Sequence, residues 1–444
     1  MTRATLGSTI DGQVLEPGDP DYDEARTVWN AMIDRRPRYV VQCAGTGDVA
    51  DAVRFARAHD LDLGIRSGGH GIVGHAVPDD GLMIDLRPMG AVTVDPSSRR
   101  AHAQGGALLG ALDRTAQAHG LATTAGNVSH TGVGGLTLGG GMGWLARQHG
   151  LTCDNVVSFD MVTADGEIVH TSADERPDLF WALRGGGGNF GVVTDFEFAL
   201  HPEAGHAIAA EFHFSAAQAG APMRRWRDLN GAAPRQATFT VTIVGQVVAL
   251  GLVWVGDPAD GAAIVSALRD ELARDAEPSQ EAIVPMTYLE LQTREDDEEG
   301  HAWRRYWKGH YFSALRDEAI DALLTREGPD LPNVSLQAYG GAIADVPDAD
   351  TAFARRDTAF EFVAASRWSD PAEDEARMSA ARRYAAALDG YASGAYVNVL
   401  GDDGVAGLRR AYTEQKLARL TAVKDRYDPD NAFHLNQNIR PSGG

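Results

Sequence analysis

The sequence sets a histidine among glycines. The stretch Arg66 to Gly71, RSGGHG, carries His70 beside Gly68, Gly69 and Gly71. A neutral imidazole is a nucleophile at physiological pH. Flanking glycines let the backbone turn tightly or approach a ligand closely. Two further clusters follow, GVGGLTLGGGMG at 132–143 and RGGGGNFG at 184–191. Backbone N–H groups in such loops hold phosphate without help from lysine. Gly186, Gly188 and Gly191 spell GxGxxG, but a Rossmann site needs a strand before the glycines and a helix after them. Here a helical segment precedes and the strand-like VVTDFEF follows. No GK[ST] is present, so a P-loop is excluded. One cluster alone reads as a tight turn. Three in the first half of the chain imply a pocket whose backbone wraps an extended, phosphate-bearing cofactor.

The elements that must position these loops are legible from periodicity. RYVVQC and LDLGIR read as strands, and TGDVADAVRFARAHD between them as a helix burying Val49, Ala52, Val53 and Ala56. GLMIDL and AVTVD read as further strands, and ALLGALDRTAQAHG as a helix ending at Gly120. VVSFDMVTADGEIVH reads as a hairpin turning at Asp165-Gly166. DERPDLFWALRG is a short helix with Pro177 in its first turn. Near Pro202 to His206 the glycine clusters stop. Strands such as AEFHFS and ATFTVTIVGQVVALGLVWVG then alternate with helices such as DGAAIVSALRDELA, which predicts an antiparallel sheet with helices on one side. The acidic run REDDEEG, 294–300, reads as a solvated loop. The tail from Tyr396 holds YVNVL, a helix TEQKLARLTAVKDRY, and DPDNAFHLNQNI.

Composition narrows the function classes. The chain has 444 residues, enough for two or three domains, with a formal net charge of −22. That charge repels nucleic acid and acidic membrane surfaces. The two cysteines, Cys43 and Cys153, form no CxxC, so no cysteine zinc site or disulfide scaffold is expected, and no metal. The N-terminus lacks the apolar core of a secretory signal, and no run reaches the length of a membrane span. A cytoplasmic monomer or homodimer is expected.

Four stretches occur in a telling order: RSGGHG…GLMIDL, TGVGGLTLGGGMGWLARQHGLTCDNV, LFWALRGGGGNFGVVTDFEF and YDPDNAFHLNQNI. Together they resemble the berberine bridge enzyme-like FAD-linked oxidases of the vanillyl-alcohol oxidase superfamily. The resemblance is dense over the first 200 residues, clear over the last 50, and only in outline between. It implies an α+β fold: a two-lobed PCMH-type FAD-binding domain plus a substrate domain with an antiparallel sheet covered by helices. The expected division is residues 1–203, a substrate domain at 204–395, and a segment at 396–444 returning to the FAD domain.

The resemblance also implies site residues. His70 would anchor FAD covalently through the flavin 8α carbon. Ser67, Gly68, Gly69, His70 and Gly71 would meet the pyrophosphate. Gly126, Gly132, Gly135, Gly140 and Gly143 would pass the ring and ribityl chain. Gly191 and Val193 would meet the adenine, and Asn436 and Asn438, on a buried polar strand, the flavin or its ribityl hydroxyls. Many relatives add a cysteinyl bond to the flavin. Val128 stands at that position and Cys153 lies in another motif, so a single link is expected. Thr131 would lie beside the reactive edge of the ring. Tyr396, in a YxN strand with Asn398, would be the base. A phenol with a reference pKa of about 10 needs a nearby cation or hydrogen bond to serve.

In RRYWKGHYFS, Trp307 and Tyr311 could stack a substrate ring, Lys308 could lower the pKa of a phenol, and His310 lies between them. His130, in the flavin-facing loop, could touch substrate or reduced flavin. Arg356 matches a recurrent arginine of the family. The implied reaction is oxidation of a secondary alcohol, a sugar or secondary metabolite, by hydride transfer to flavin N5 with reoxidation by dioxygen. Oxidation of a C–N bond in an alkaloid-like amine, a dehydrogenase using another acceptor, and a non-catalytic metabolite-binding flavoprotein remain alternatives.

Overall fold

The computed structural model describes residues 6–203, 205–296 and 303–443. Two main sheets carry the glycine-rich half. In the first, Tyr39–Gln42, Leu82–Asp85 and Leu63–Arg66 run parallel, with Gln13–Leu15 antiparallel at one edge. Parallel strands need a crossover connection. The helix Thr46–Ala58 supplies one and buries Val49, Ala52, Val53 and Ala56, the predicted face. The His70 loop begins where Leu63–Arg66 leaves this sheet.

The second sheet is antiparallel, in the order Val92–Asp95, Arg100–Gln104, Val192–Ala199, Val156–Val162, Ile168–Ser172. Its last two strands are the expected hairpin, and Gly166 in the turn takes φ +73°, a left-handed conformation that glycine adopts without steric cost. Pro177 opens the helix Pro177–Leu183.

Seven antiparallel strands between His206 and Trp368 build a separate sheet. ATFTVTIVGQVVALGLVWV resolves into two of them, Ala237–Val244 and Val247–Val255. Side chains alternate across it. Phe212, Phe214, Leu250, Phe360 and Phe362 pack under the helices Gly220–Asn230, Pro258–Leu272, Asp317–Leu324 and Asp374–Ala386. Each such side chain, fully buried, contributes about 1.5–3 kcal/mol. From the other face, Ala207, Ala209 and Val253 meet Leu145, and Tyr311 enters the core of the glycine-rich half. The sheet therefore closes over the glycine loops.

The C-terminal segment differs from expectation in two places. Val397–Val399 is a short 3-10 turn, closed by Val399 N–H donating to Tyr396 O, so Tyr396 is not on an alternating strand. The tail is also not a strand. Side chains fasten it instead: Ile439 N–H donates to Asn189 Oδ1 at 2.9 Å, and Lys424 Nζ to Phe433 O at 3.0 Å and Asn189 O at 2.8 Å. A polar backbone denied a sheet partner must find such bonds when buried. Among the described residues, no helix is long and apolar enough to cross a membrane.

Candidate active site

The His70 ring is held on three sides. Trp29 stacks on one face, centroids 4.7 Å apart and 16° from parallel. The Arg305 guanidinium lies 3.8 Å from the Trp29 ring centroid. His130 Nδ1 is 2.7 Å from His70 Nε2, and Thr131 Oγ1 is 3.5 Å from His70 Nδ1. Trp29 N–H donates to Gly69 O at 3.1 Å, which ties the stacking residue to the loop it supports. Trp307 meets Trp29 edge-on at 5.4 Å.

The glycine loops converge. A Cβ on Gly68 would lie 2.2 Å from Gly132 N, and Gly134 N–H donates to Ser67 Oγ at 3.3 Å, so the first two clusters touch through backbone. Gly185 and Gly187 N–H both donate to Leu138 O, joining the third to the second. Asn436 Nδ2 donates to Gly188 O at 3.3 Å, bringing in the tail. Not every glycine needs a ligand to explain it. A Cβ on Gly143 would strike Ala125 O, one on Gly191 the Met161 side chain and Val162 O, and one on Gly126 Leu136 and Leu109. Gly140, at φ +135°, lies against Phe353. Val193 is buried in the second sheet, paired with Met161.

Opposite the loops, Tyr311, Glu361, Gln337 and Thr240 form one cross-strand row on the seven-stranded sheet. Asn127 Nδ2 donates to Gln337 Oε1 at 2.8 Å, linking this row to the loop that carries His130. Tyr339 OH donates to Glu361 Oε2 at 2.7 Å and lies 3.5 Å from Tyr311 OH. Tyr396 stacks 6.3 Å from Tyr311. Burial pushes the Glu361 carboxyl up to about 7, against the lowering effect of the Tyr339 hydrogen bond. Trp29, Asn127, Gln337, Tyr339 and Glu361 escape sequence reading. One signal existed: Glu361 is the lone acid between two aromatics in FEFVAAS.

Tyr396 is placed poorly for a base. Its oxygen accepts from Gly141 N–H at 2.7 Å and Asn398 Nδ2 at 2.9 Å, and these bonds favour phenolate. Burial outweighs them, and Glu361 adds to it, so its pKa stands well above the ordinary phenol value. Lys308, expected to lower the pKa of a neighbouring phenol, acts on Tyr306 rather than Tyr396, and burial still leaves Tyr306 above its ordinary value. On the strand Arg304–Phe312, Trp307 and Tyr311 share parity while Lys308 and His310 face the other way. Lys308 Nζ binds Asp402 and Asp403, both at 2.8 Å. His310 Nε2 is 2.9 Å from Ala385 O, under the helix Asp374–Ala386. These two are thus corrected out of the site.

Three other expectations are refined. Asp296 of the acidic run accepts from Ser129 N–H and Oγ, so it anchors the His130 loop rather than facing solvent alone; Asp297 to Gly300 lie outside the described residues. Arg356 forms a bidentate pair with Asp154, both bonds 2.7 Å. Asp154 neighbours Thr152 and Cys153, whose N–H groups bond Gly141 O and Gly140 O, so Arg356 braces the second glycine cluster from behind. Cys153 and Cys43 are free and buried.

Residues 37–172 match the FAD binding domain family, and residues 395–440 the family described as berberine and berberine-like. The chain is 31% identical to the FAD-linked oxidoreductase YgaK of Bacillus subtilis (strain 168), with 97% of each chain covered. It belongs to the berberine-like FAD-linked oxidoreductases. Its fold matches that of 6-hydroxy-D-nicotine oxidase from Arthrobacter nicotinovorans at a TM-score of 0.86, with 27% identity and 100% of both chains covered. The xylooligosaccharide oxidase of Myceliophthora thermophila C1 matches at 0.87, with 25% identity and 98% of both chains.

The residues present fit FAD. A Cβ on Gly71, Gly135 or Gly188 would meet nothing within 4 Å, so the backbone there lies open to a closely approaching group. The side-chain oxygens of Asn436 and Asn438 are buried and have no hydrogen-bond partner among the described residues. Buried acceptors of this kind cost about 1–3 kcal/mol unless a donor satisfies them, and ribityl hydroxyls are such donors. This berberine-like oxidoreductase is FAD-dependent, and the loops at 67–71 and 132–143 and the tail asparagines are the groups that would hold the cofactor.

Proposed function

We propose that this oxidoreductase carries FAD on a single covalent bond from His70 and oxidises a secondary alcohol, a sugar or secondary metabolite, using dioxygen. The observation that carries the reading is the Glu361 carboxyl, buried opposite the His130 loop and pushed up to about 7. FAD held there would supply the two-electron acceptor for the hydride, with dioxygen as the final oxidant. An alcohol gives up hydride only as a base takes its hydroxyl proton, and a base works best with a pKa near the working pH. Glu361 meets that condition; Tyr396, pushed by burial further above the working pH, keeps its own proton. Tyr339 donates to Glu361 and holds the carboxylate in place. Trp307, beside Trp29, offers an aromatic face for a ring. Val128 has no sulfur to offer the flavin, which supports one link only.

The relation to 6-hydroxy-D-nicotine oxidase supports a second reading, oxidation of a C–N bond. A neutral amine needs no strong base, so the two readings part at Glu361. The test begins with acid precipitation of wild type and His70→Ala. Flavin retained in the wild-type pellet and lost from the variant establishes the link; free FAD released from wild type sinks it. Oxygen uptake with sugars, other secondary alcohols and amines follows, on wild type and Glu361→Gln. Alcohol turnover lost in the variant supports Glu361 as base. Turnover of amines alone, indifferent to Glu361→Gln, overturns the alcohol reading.

A further inference from the structure

We infer that His130 is the proton acceptor for attachment of FAD to His70, an inference that rests on the His70 link proposed above. The two nitrogens of His70 stand in different surroundings. Nε2 is 2.7 Å from His130 Nδ1, whereas Nδ1 is 3.5 Å from Thr131 Oγ1. When Nε2–H donates to His130, the lone pair of the ring is on Nδ1. That tautomer makes Nδ1 the nucleophile, since the partner of one ring nitrogen decides the chemistry of the other. Trp29 covers one face of the ring and is itself held by its N–H bond to Gly69 O and by Arg305. The nucleophile is thereby aimed as well as activated.

The step balances as follows. A bond forms between His70 Nδ1 and the 8α carbon of FAD. The 8-methyl group gives up one proton as its C–H bond breaks, and the electron pair of that bond remains in the ring system. Bonding at Nδ1 would leave His70 a cation, and Nε2 releases its proton to His130 Nδ1. Dioxygen takes the electron pair with two protons and leaves as hydrogen peroxide. The net change is FAD plus histidine plus dioxygen, giving histidyl-FAD plus hydrogen peroxide. His130 reaches this position because its loop is pinned twice, by Ser129 to Asp296 and by Asn127 to Gln337.

The test uses full-length protein made under riboflavin limitation, with FAD added after purification. Covalent attachment is followed by intact-protein mass spectrometry and by flavin retained in acid pellets. Non-covalent binding is followed by the flavin spectrum before acid. His130→Ala and His130→Gln are compared with wild type and His70→Ala. The glutamine can accept the Nε2–H bond but cannot take the proton, so it separates proton transfer from placement, and it decides the matter should the alanine variant not fold. Both variants are expected to bind FAD and attach it at least about tenfold more slowly, within the range of a general base. Added imidazole is expected to speed His130→Ala and not His130→Gln. Attachment at the wild-type rate in His130→Gln overturns the inference alone. A wild type that never attaches FAD overturns the His70 link and this inference together.

Discussion

Two carboxyls, Asp113 and Glu361, are both buried and both pushed up to about 7 by burial. Their neighbours differ. Asp113, on the helix Leu109–Gln117, accepts from Gln292 Nε2 at 2.9 Å, and the same amide donates to Gly126 O at 2.8 Å. It is a packing joint between a helix and the helix Tyr288–Thr293. Glu361 instead accepts from a phenol and shares a row with Tyr311 and Gln337, opposite the His130 loop. In both carboxyls the raised pKa comes from desolvation, which by itself does not mark a catalytic group. What turns it toward catalysis is its position facing the loops that would hold the cofactor.

The contrast is sharpest in turnover. Glu361→Gln is expected to lower kcat on an alcohol by ~10²–10⁴, while Asp113→Asn leaves it within a few-fold; equal losses would erase the distinction. Next comes pH. A carboxylate base works deprotonated, so kcat/KM should rise with pH through about 7 and then level. Asp113→Asn keeps that profile and Glu361→Gln flattens it. Tyr396→Phe removes the acceptor of two hydrogen bonds, and a cost of about 1–3 kcal/mol in stability is expected with kcat reduced about tenfold or less. A loss a hundred times larger would return proton acceptance to Tyr396.

The smallest effect is on stability. Both carboxyls have folded pKa values above their unfolded ones, so between about pH 4 and about 7 the folded state binds more protons. Stability therefore falls as pH rises through that window. Asp113→Asn and Glu361→Gln remove the penalty. Each should melt a few degrees above wild type at pH 8 and level with it near pH 4. A lower melting temperature at pH 8 would mean that neither carboxyl is penalised.

Local chemistry made much of this readable. The glycine clusters, read as parts of one site, converge through their backbones, and local pattern located the helix Thr46–Ala58 and the hairpin at Gly166. What stayed hidden depends on partners far away in the chain. Gln337, Glu361 and Tyr311 become one row only through strand register, and register is set by three-dimensional pairing. Lys308 was misplaced for a simpler reason. Once its segment is a strand, alternation alone separates it from Trp307. Tyr396 reads as a strand residue because YVNVL alternates, yet pairing with the strand Arg304–Phe312 stops at the Tyr311–Gly394 bridge and the chain turns into the 3-10 segment Val397–Val399.

The clasp at Asn189 has a consequence in time. Ile439 reaches it across 250 residues of sequence, and Lys424 across 235. A ribosome must therefore have made the chain through Ile439 before the third glycine cluster can acquire these contacts. The flavin seat is thus closed by residues made long after its first loop, when the segments that form the other sheets have already been synthesised.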